Sequence, residues 1–232
     1  MNFICTSFYY ANSKGENFKE LADQTFDNLE EYCRKWGYRF EPYILQEEIE
    51  GTAYEVAVKA CRKNSELLLK TLEDNHSCDY VWHRDCDSII TNMDISLESI
   101  IGKYPSPPYE IIVGSDKAGL SMGQVLVHNT PTGRQYLQDI LDGIDRGEEH
   151  EQTYMVKNMK GFIAVVPQRV MNSYDCEARL EPDDPGNWQA GDFLVHLAGL
   201  NLNQKMEVLP KWMSRVIKNY KHGEGCTCKL CQ

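Results

Sequence analysis

The stretch YVWHRDCDSIITN, residues 80–92, is an apolar run that ends on two aspartates one residue apart. Its first part, together with the preceding Asp79, has the aromatic and β-branched composition of a buried strand. Asp85 and Asp87 therefore fall directly at the carboxyl end of a predicted strand. Ligands of parallel α/β sheets bind at this end of the strands, so the stretch predicts a binding site if the sheet is parallel.

The sequence before this stretch alternates between strand and helix patterns. Strands are predicted at 2–9 and 38–45, and apolar residues at helical spacing predict helices at 15–37 and 55–75. With the strand at 79–84, this gives the order strand, helix, strand, helix, strand. That order predicts a parallel sheet with helices packed on both of its faces.

The remaining sequence continues the α/β pattern without an internal repeat or a linker. The predicted elements are a short helix at 92–101, strands at 111–116 and 122–129, helices at 130–144 and 150–159, a strand and loop at 161–172, a last buried strand at 193–199 and a closing helix at 209–221. We therefore predict one domain at 1–220, followed by a Cys-rich tail at 221–232.

Composition and charge exclude some functions. The 232 residues are 42% hydrophobic and 25% charged, which is ordinary for a globular protein that buries a substantial core. The net charge of −11 argues against a general nucleic-acid binder, which needs a cationic face. A phosphorylated ligand stays compatible with this charge, because a divalent metal can supply positive charge locally.

The termini bear on location and redox state. The start, MNFICTSFYY, is too polar for a signal peptide, and no stretch approaches the length of a membrane span, so we expect a cytoplasmic protein with reduced cysteines.

The last residues, HGEGCTCKLCQ at 222–232, are interpreted as a reduced tail and not as a local zinc site, because C-x-C-x-x-C lacks paired C-x-x-C knuckles. The closing helix, with Trp212 among cations, is compatible with peripheral membrane contact, although packing on the sheet is favoured.

The paired aspartates and one histidine form a candidate metal site. Two carboxylates on a tight turn can bind Mn²⁺ or Mg²⁺ and leave open positions for phosphate oxygens. His196, on the predicted strand GDFLVHLAGL, would be a third ligand. Without a metal, the aspartates would cap a solvated turn and the histidine would be a satisfied core residue.

Four sequence blocks together resemble a known glycosyltransferase family. YVWHRDCDSIITN, GLSMGQVLVHNTPTGRQYLQDILDG, HEQTYM and GDFLVHLAGL occur in the order and spacing of the signature blocks of the retaining, metal-dependent family of plant xylosyltransferases and fungal α-galactosyl- and α-mannosyltransferases. The chain is similar in size to small forms of such enzymes from algal viruses and bacteria. The resemblance implies a single GT-A (Rossmann-like) domain with a mixed, mostly parallel central sheet flanked by helices.

The resemblance also implies roles for individual residues. The implied metal ligands are Asp85, Asp87 and His196. The implied nucleotide contacts are Thr6, Ser7, Phe8, Asp85, Cys86 and Gly199, and the implied donor-sugar contacts are Ser121, Met122, Gly123 and Gln124. Glu151 and Gln152 match an acidic-Gln pair at the anomeric carbon and are the implied catalytic residues. The chain departs from the family at two lysines. The nearest candidate for one is Lys205, which is displaced, and the position of the other falls on Asn64, which leaves Lys63 or Lys70 as substitutes.

The predicted function is transfer of a hexose or pentose from a nucleoside-diphosphate sugar, with a UDP-sugar favoured, to a hydroxyl of a glycan or glycoconjugate. The metal would stabilise the leaving diphosphate, and Gln152 or Glu151 would face the oxocarbenium-like sugar. Asp116 and Asp192 are weaker candidates for the same face. A non-catalytic nucleotide-sugar or glycan-binding module and a D-x-D phosphohydrolase are the alternatives.

Overall fold

The computed structural model describes residues 1–11, 18–47, 50–104, 109–117, 119–147, 151–175 and 183–216. The strands are β1 (Phe3–Tyr10), β2 (Arg39–Leu45), β3 (Tyr80–Arg84), β4 (Ser88–Ile90), β5 (Ile111–Gly114), β6 (Ser121–His128), β7 (Ile163–Val166), β8 (Ser173–Tyr174) and β9 (Leu194–His196). The helices are α1 (Lys19–Trp36), α2 (Ala53–Asp74), α3 (Leu97–Gly102), α4 (Pro131–Asp145), α5 (Glu151–Lys157), α6 (Gln168–Met171) and α7 (Leu202–Ser214).

The central sheet has six strands in the order β2-β1-β3-β6-β5-β7. The pairs β1–β2, β1–β3 and β5–β7 are parallel, whereas β6 runs antiparallel to both β3 and β5. The connection from β5 to β6 is residues 115–120, which is too short for the crossover that a parallel pair needs. The mixed, mostly parallel α/β sheet is thus confirmed, and a purely parallel sheet is not formed.

Apolar side chains cover both faces of this sheet. On one face, α2, α4 and α5 pack around a cluster that includes Leu68, Val81 and Leu137. On the other face, α1 and α3 pack around a cluster that includes Tyr32 and Trp82. The helices therefore bury the middle strands and leave the carboxyl end of β3 as the edge at which the aspartates emerge.

A second, small sheet was not predicted. Its order is β4-β9-β8, and β4 follows the paired aspartates immediately. β4 and β9 are antiparallel, with Ser88 opposite His196 and Ile90 opposite Leu194. This pairing brings the predicted third ligand to the carboxyl end of β3.

The closing helix begins earlier than predicted. Asn201 and Gln204 form a capping box, in which each side chain accepts a hydrogen bond from the other residue's backbone N–H. This cap starts α7 at Leu202 and leaves Pro210 inside the helix, where the sequence pattern had indicated a helix start. Residues 217–232, which include the Cys-rich tail, lie outside the described residues. Among the helices that the structure does describe, none combines the length and the apolar character that a membrane span requires.

Candidate active site

The D-x-D turn, residues 85–87, is held from two sides by backbone hydrogen bonds. The Asp85 N–H donates to the Gly123 carbonyl on β6 at 2.8 Å, which continues the β3–β6 pairing by one residue. From the other side, the Thr25 hydroxyl on α1 donates to the Cys86 carbonyl at 2.7 Å. The Cys86 side chain packs with the apolar cluster around Phe26, on the α1 side of the turn.

Arg84, which the sequence analysis did not single out, is fully buried beneath this turn. Its guanidinium donates to the Ser88 carbonyl at 2.6 Å and to the Thr25 carbonyl at 2.7 Å. Burial lowers the pKa of Arg84 to about 10, so the side chain remains a cation at neutral pH. The turn is therefore fastened to α1 and to β4 by a buried positive charge.

Asp85, Asp87 and His196 come together as predicted. One potential ligand atom from each residue lies within 4.8 Å of the other two. The His196 Nε2 is 3.1 Å from Asp87 Oδ1 and 3.6 Å from Asp85 Oδ2. Asp87 and His196 are 8% and 4% exposed, so these two ligands are shielded from bulk water.

Gly123 makes room for this cluster. A Cβ atom at this position would overlap Asp85 Oδ2 and would lie 2.8 Å from His196 Cε1. No real Cβ contact is that short, so only glycine leaves both side chains where they are. Two carboxylates and an imidazole around this space are a donor set that suits Mn²⁺ or Mg²⁺.

A lysine on α7 places a positive charge beside the metal cluster. The Lys205 Nζ lies 3.0 Å from Asp87 Oδ2, and only 11% of this lysine side chain is exposed. Burial alone would raise the pKa of Asp87, but Lys205 and His196 hold it well below its usual range. Burial alone would likewise lower the pKa of His196, but the carboxylates of Asp87 and Asp85 raise it.

Thr6, Ser7 and Phe8 lie within β1 and alternate between the two faces of that strand. Thr6 and Phe8 share one face and contact His83, with the Thr6 Oγ1 3.4 Å from His83 Nδ1 and the two rings 5.8 Å apart. The His83 Nε2 is in turn 3.3 Å from Asp85 Oδ1, so this buried histidine links β1 to the metal cluster. Ser7 lies on the opposite face, buried, and its Oγ has no hydrogen-bond partner among the described residues.

The predicted donor-sugar residues lie at the start of β6. Gln124 is fully buried and donates to the Ser88 hydroxyl at 2.5 Å, which ties β6 to β4. Met122 is part of the core on the α2 side, and its carbonyl accepts a hydrogen bond from Asn64 at 3.4 Å. Ser121 is the first residue of β6 and is buried. Gly123, from the same set, borders the metal cluster directly.

Glu151 begins α5 and is 4% exposed. Burial raises the pKa of its carboxyl to about 7, a hydrogen bond with the Cys61 thiol partly offsets this shift, and the negative charge of Asp85 adds to it. One oxygen, Oε2, has no hydrogen-bond partner among the described residues. Gln152 follows on α5 and is half-buried.

The remaining predicted site residues are Asp192, Asp116 and Gly199. Asp192 receives two hydrogen bonds from the guanidinium of Arg169, at 2.8 and 3.0 Å, and is thus paired with that arginine. Asp116 accepts a hydrogen bond from the Tyr174 hydroxyl at 3.5 Å. Gly199 has a positive φ of 79° and is exposed in the turn after β9.

Comparison with known proteins shows which family the chain resembles. Residues 3–106 match the galactosyl transferase GMA12/MNN10 family. Two relatives from Schizosaccharomyces pombe, the probable alpha-1,2-galactosyltransferases gmh2 and gmh1, are each 21% identical to the chain, over 83% and 85% of its length. The chain spans 64% of gmh2 and 69% of gmh1.

Solved structures give the same class for the fold. A glycosyltransferase involved in glycosylation of the major capsid of PBCV-1 superposes with a TM-score of 0.70 at 15% identity, covering 91% of this chain and 100% of the other. The galactosyltransferase LgtC, in complex with donor and acceptor sugar analogs, superposes with a TM-score of 0.54 at 11% identity, covering 94% and 98%. The fold is thus that of the GT-A glycosyltransferases. The resemblance to the fungal α-galactosyltransferase family is confirmed.

Proposed function

We propose that the protein is a metal-dependent glycosyltransferase that moves a hexose or pentose from a nucleoside-diphosphate sugar to a hydroxyl of a glycan or glycoconjugate. The observation that carries this proposal is the cluster of Asp85, Asp87 and His196 at the carboxyl end of β3. A GT-A fold with this donor set suits a sugar diphosphate, because the chain itself is acidic and needs a divalent cation to hold phosphates.

The leaving diphosphate gains negative charge as the bond to the sugar breaks. When bound, Mn²⁺ or Mg²⁺ would act there as a Lewis acid. Asp87 and His196 are the firmer ligands in this proposal because both are buried, whereas Asp85 also faces His83 and the end of β1. Lys205, beside Asp87, adds a positive charge on the side of α7.

The residues that face the sugar in this proposal lie on α5. The transition state of glycosyl transfer resembles an oxocarbenium ion, which a nearby carbonyl or carboxylate oxygen stabilises. Glu151 and Gln152 are the candidates, and the electrostatic influence of Asp85 on Glu151 supports their placement on the metal side of the domain. The nucleotide contacts assigned to Thr6, Phe8 and Gly199 belong to the same proposal.

A UDP-sugar is the favoured donor, and the names of gmh2, gmh1 and LgtC make UDP-galactose the first to test.

We also propose that residues 1–220 form one domain that acts in the cytoplasm, with peripheral membrane contact where the acceptor requires it. Nucleic acid is not a proposed partner.

Calorimetric titration with UDP and with GDP, each with and without Mn²⁺, tests the metal and the base. We expect UDP to bind more tightly than GDP and only with Mn²⁺. Asp87→Ala and His196→Ala should abolish this binding and leave the protein folded. Asp23→Ala removes an exposed carboxylate from α1 and is the matched control. Metal-independent binding, or mutants that bind as the parent does, would contradict the metal site.

Turnover separates an enzyme from the alternatives. Incubation with UDP-sugars, Mn²⁺ and a panel of glycan acceptors should release UDP in step with formation of a glycosylated product. Binding without any UDP release would indicate a nucleotide-sugar-binding module. Release of inorganic phosphate from a sugar phosphate would indicate a phosphohydrolase instead.

A further inference from the structure

The imidazole of His196 has a second polar contact, on the side away from the carboxylates. Its Nδ1 lies 2.7 Å from the Asn172 side-chain oxygen. The Asn172 side-chain nitrogen donates to the Tyr174 hydroxyl at 3.2 Å, and that hydroxyl donates to Asp116 Oδ2 at 3.5 Å. Asn172 is fully buried, and Tyr174 is 5% exposed.

The direction of these hydrogen bonds follows from the orientation of the Asn172 amide. Its nitrogen can only donate, and it faces the Tyr174 hydroxyl. The amide oxygen consequently faces His196 and can only accept from it.

We infer that Asn172 is a positioning residue that keeps the proton of His196 on Nδ1 and thereby leaves the Nε2 lone pair for a metal ion. The inference rests on the proposed metal site, because it concerns how one ligand of that site is prepared. Outer-shell partners of this kind fix the tautomer and the ring orientation of a histidine ligand.

The Asn172 side chain packs closely against the end of β5. Asn172 lies between α6 and β8, and β5 ends beside it at Gly114. A Cβ atom at Gly114 would lie 3.0 Å from the Asn172 Cβ, so this glycine provides the space that the asparagine occupies. The first carbon of the asparagine side chain therefore lies directly against the backbone at the end of β5.

Asn172→Leu removes the acceptor with little change in size, whereas Asn172→Asp keeps an oxygen that accepts from Nδ1. The matched control is Asn92→Leu, which removes another buried asparagine whose amide donates to the Gly191 carbonyl. The measurement is the affinity for Mn²⁺ alone, by calorimetry or by electron paramagnetic resonance of free Mn²⁺. Melting temperature in chelator is measured on each variant.

We expect Asn172→Leu to weaken Mn²⁺ binding roughly 10- to 100-fold, and Asn172→Asp to restore it to within a few-fold of the parent. Asn92→Leu should lower the melting temperature without changing the Mn²⁺ affinity. A folded Asn172→Leu that binds Mn²⁺ as the parent does would overturn the inference. If His196→Ala also binds as the parent does, the metal site itself is wrong.

The parent protein alone provides a second test. Nitrogen-15 NMR of the Mg²⁺-loaded protein distinguishes an imidazole protonated on Nδ1 from one protonated on Nε2. We expect the Nδ1–H form for His196. The Nε2–H form would overturn the inference even if the Asn172 variants did not fold.

Discussion

The Lys205 Nζ lies 3.0 Å from Asp87 Oδ2, within the cluster that we propose to bind a divalent ion. A cation supplied by α7 thus already pairs with one of the two carboxylates. An incoming Mn²⁺ and this lysine would compete for the same oxygen. The free energy of metal binding would therefore include the cost of separating the ion pair.

Lys205→Met should change stability and metal affinity in opposite directions. Removing one partner of a buried ion pair costs about 3 kcal/mol, so the metal-free protein should unfold at lower urea. Mn²⁺ should bind several-fold more tightly, because Lys205 no longer competes for Asp87. Lys70→Met removes an exposed lysine paired with Asp74 on α2 and should change neither quantity appreciably. Unchanged Mn²⁺ affinity in Lys205→Met would refute the competition.

Gly123→Ala should damage the metal cluster more than the fold. The added methyl group would displace the Asp85 carboxylate and the His196 ring, so we expect Mn²⁺ affinity to fall at least 10-fold. Gly161→Ala is the control, because a Cβ there meets no atom within 4 Å. Calorimetry with Mn²⁺ on both variants makes the comparison, and equal affinities would show that the cluster tolerates the methyl group.

Glu151 should make the stability of the metal-free protein depend on pH. Its pKa is about 7 in the folded protein against an ordinary value of 4.5, so the folded state retains a proton that the unfolded chain loses. The stability that this group contributes is complete below pH 4.5 and is lost as the pH rises to about 7. The full difference is about 3 kcal/mol.

Glu151→Gln removes this titration. Urea unfolding in chelator should show the variant more stable than the parent at pH 8, by up to about 3 kcal/mol, and similar to it at pH 4.5. Glu73→Gln, on the exposed face of α2, should follow the parent at both pH values. A variant whose advantage is the same at both pH values would show that the carboxyl is not held protonated.

Gln152→Ala separates catalysis from binding. If the amide stabilises the oxocarbenium-like transition state, kcat should fall on the order of 10²-fold while the Kd for donor changes little. If Gln152 only supports the start of α5, the melting temperature should fall and turnover per folded molecule should not. Turnover, donor affinity and melting temperature on one preparation distinguish the two cases.

The sequence predicted the elements whose pattern is local. The alternation before residue 85 gave β1, α1, β2, α2 and β3, and the D-x-D turn followed from the position of its aspartates. β4 was missed because three residues, two of them apolar, have no periodicity of their own, and they form a strand only by pairing with β9, about a hundred residues later.

The buried polar residues of the site were missed for a related reason. His83 and Arg84 interrupt an apolar strand, and only distant partners on β1 and α1 show what they hold. A basic pair inside an otherwise apolar strand was the available signal. His196 was found because the paired aspartates called for a third ligand, whereas its contact with Asn172 depends on the tertiary fold.

The pairing of β4 with β9 also limits which insertions and deletions the chain can accept. Side chains alternate between the two faces of a strand, so a one-residue deletion at 194–195 would move His196 from its place opposite Ser88 and turn the imidazole toward the other face. Both strands could still form and stay buried, because β4 is unchanged and Leu194 and Val195 are both apolar and buried. Such a protein would fold, pass a solubility screen and lack its third ligand.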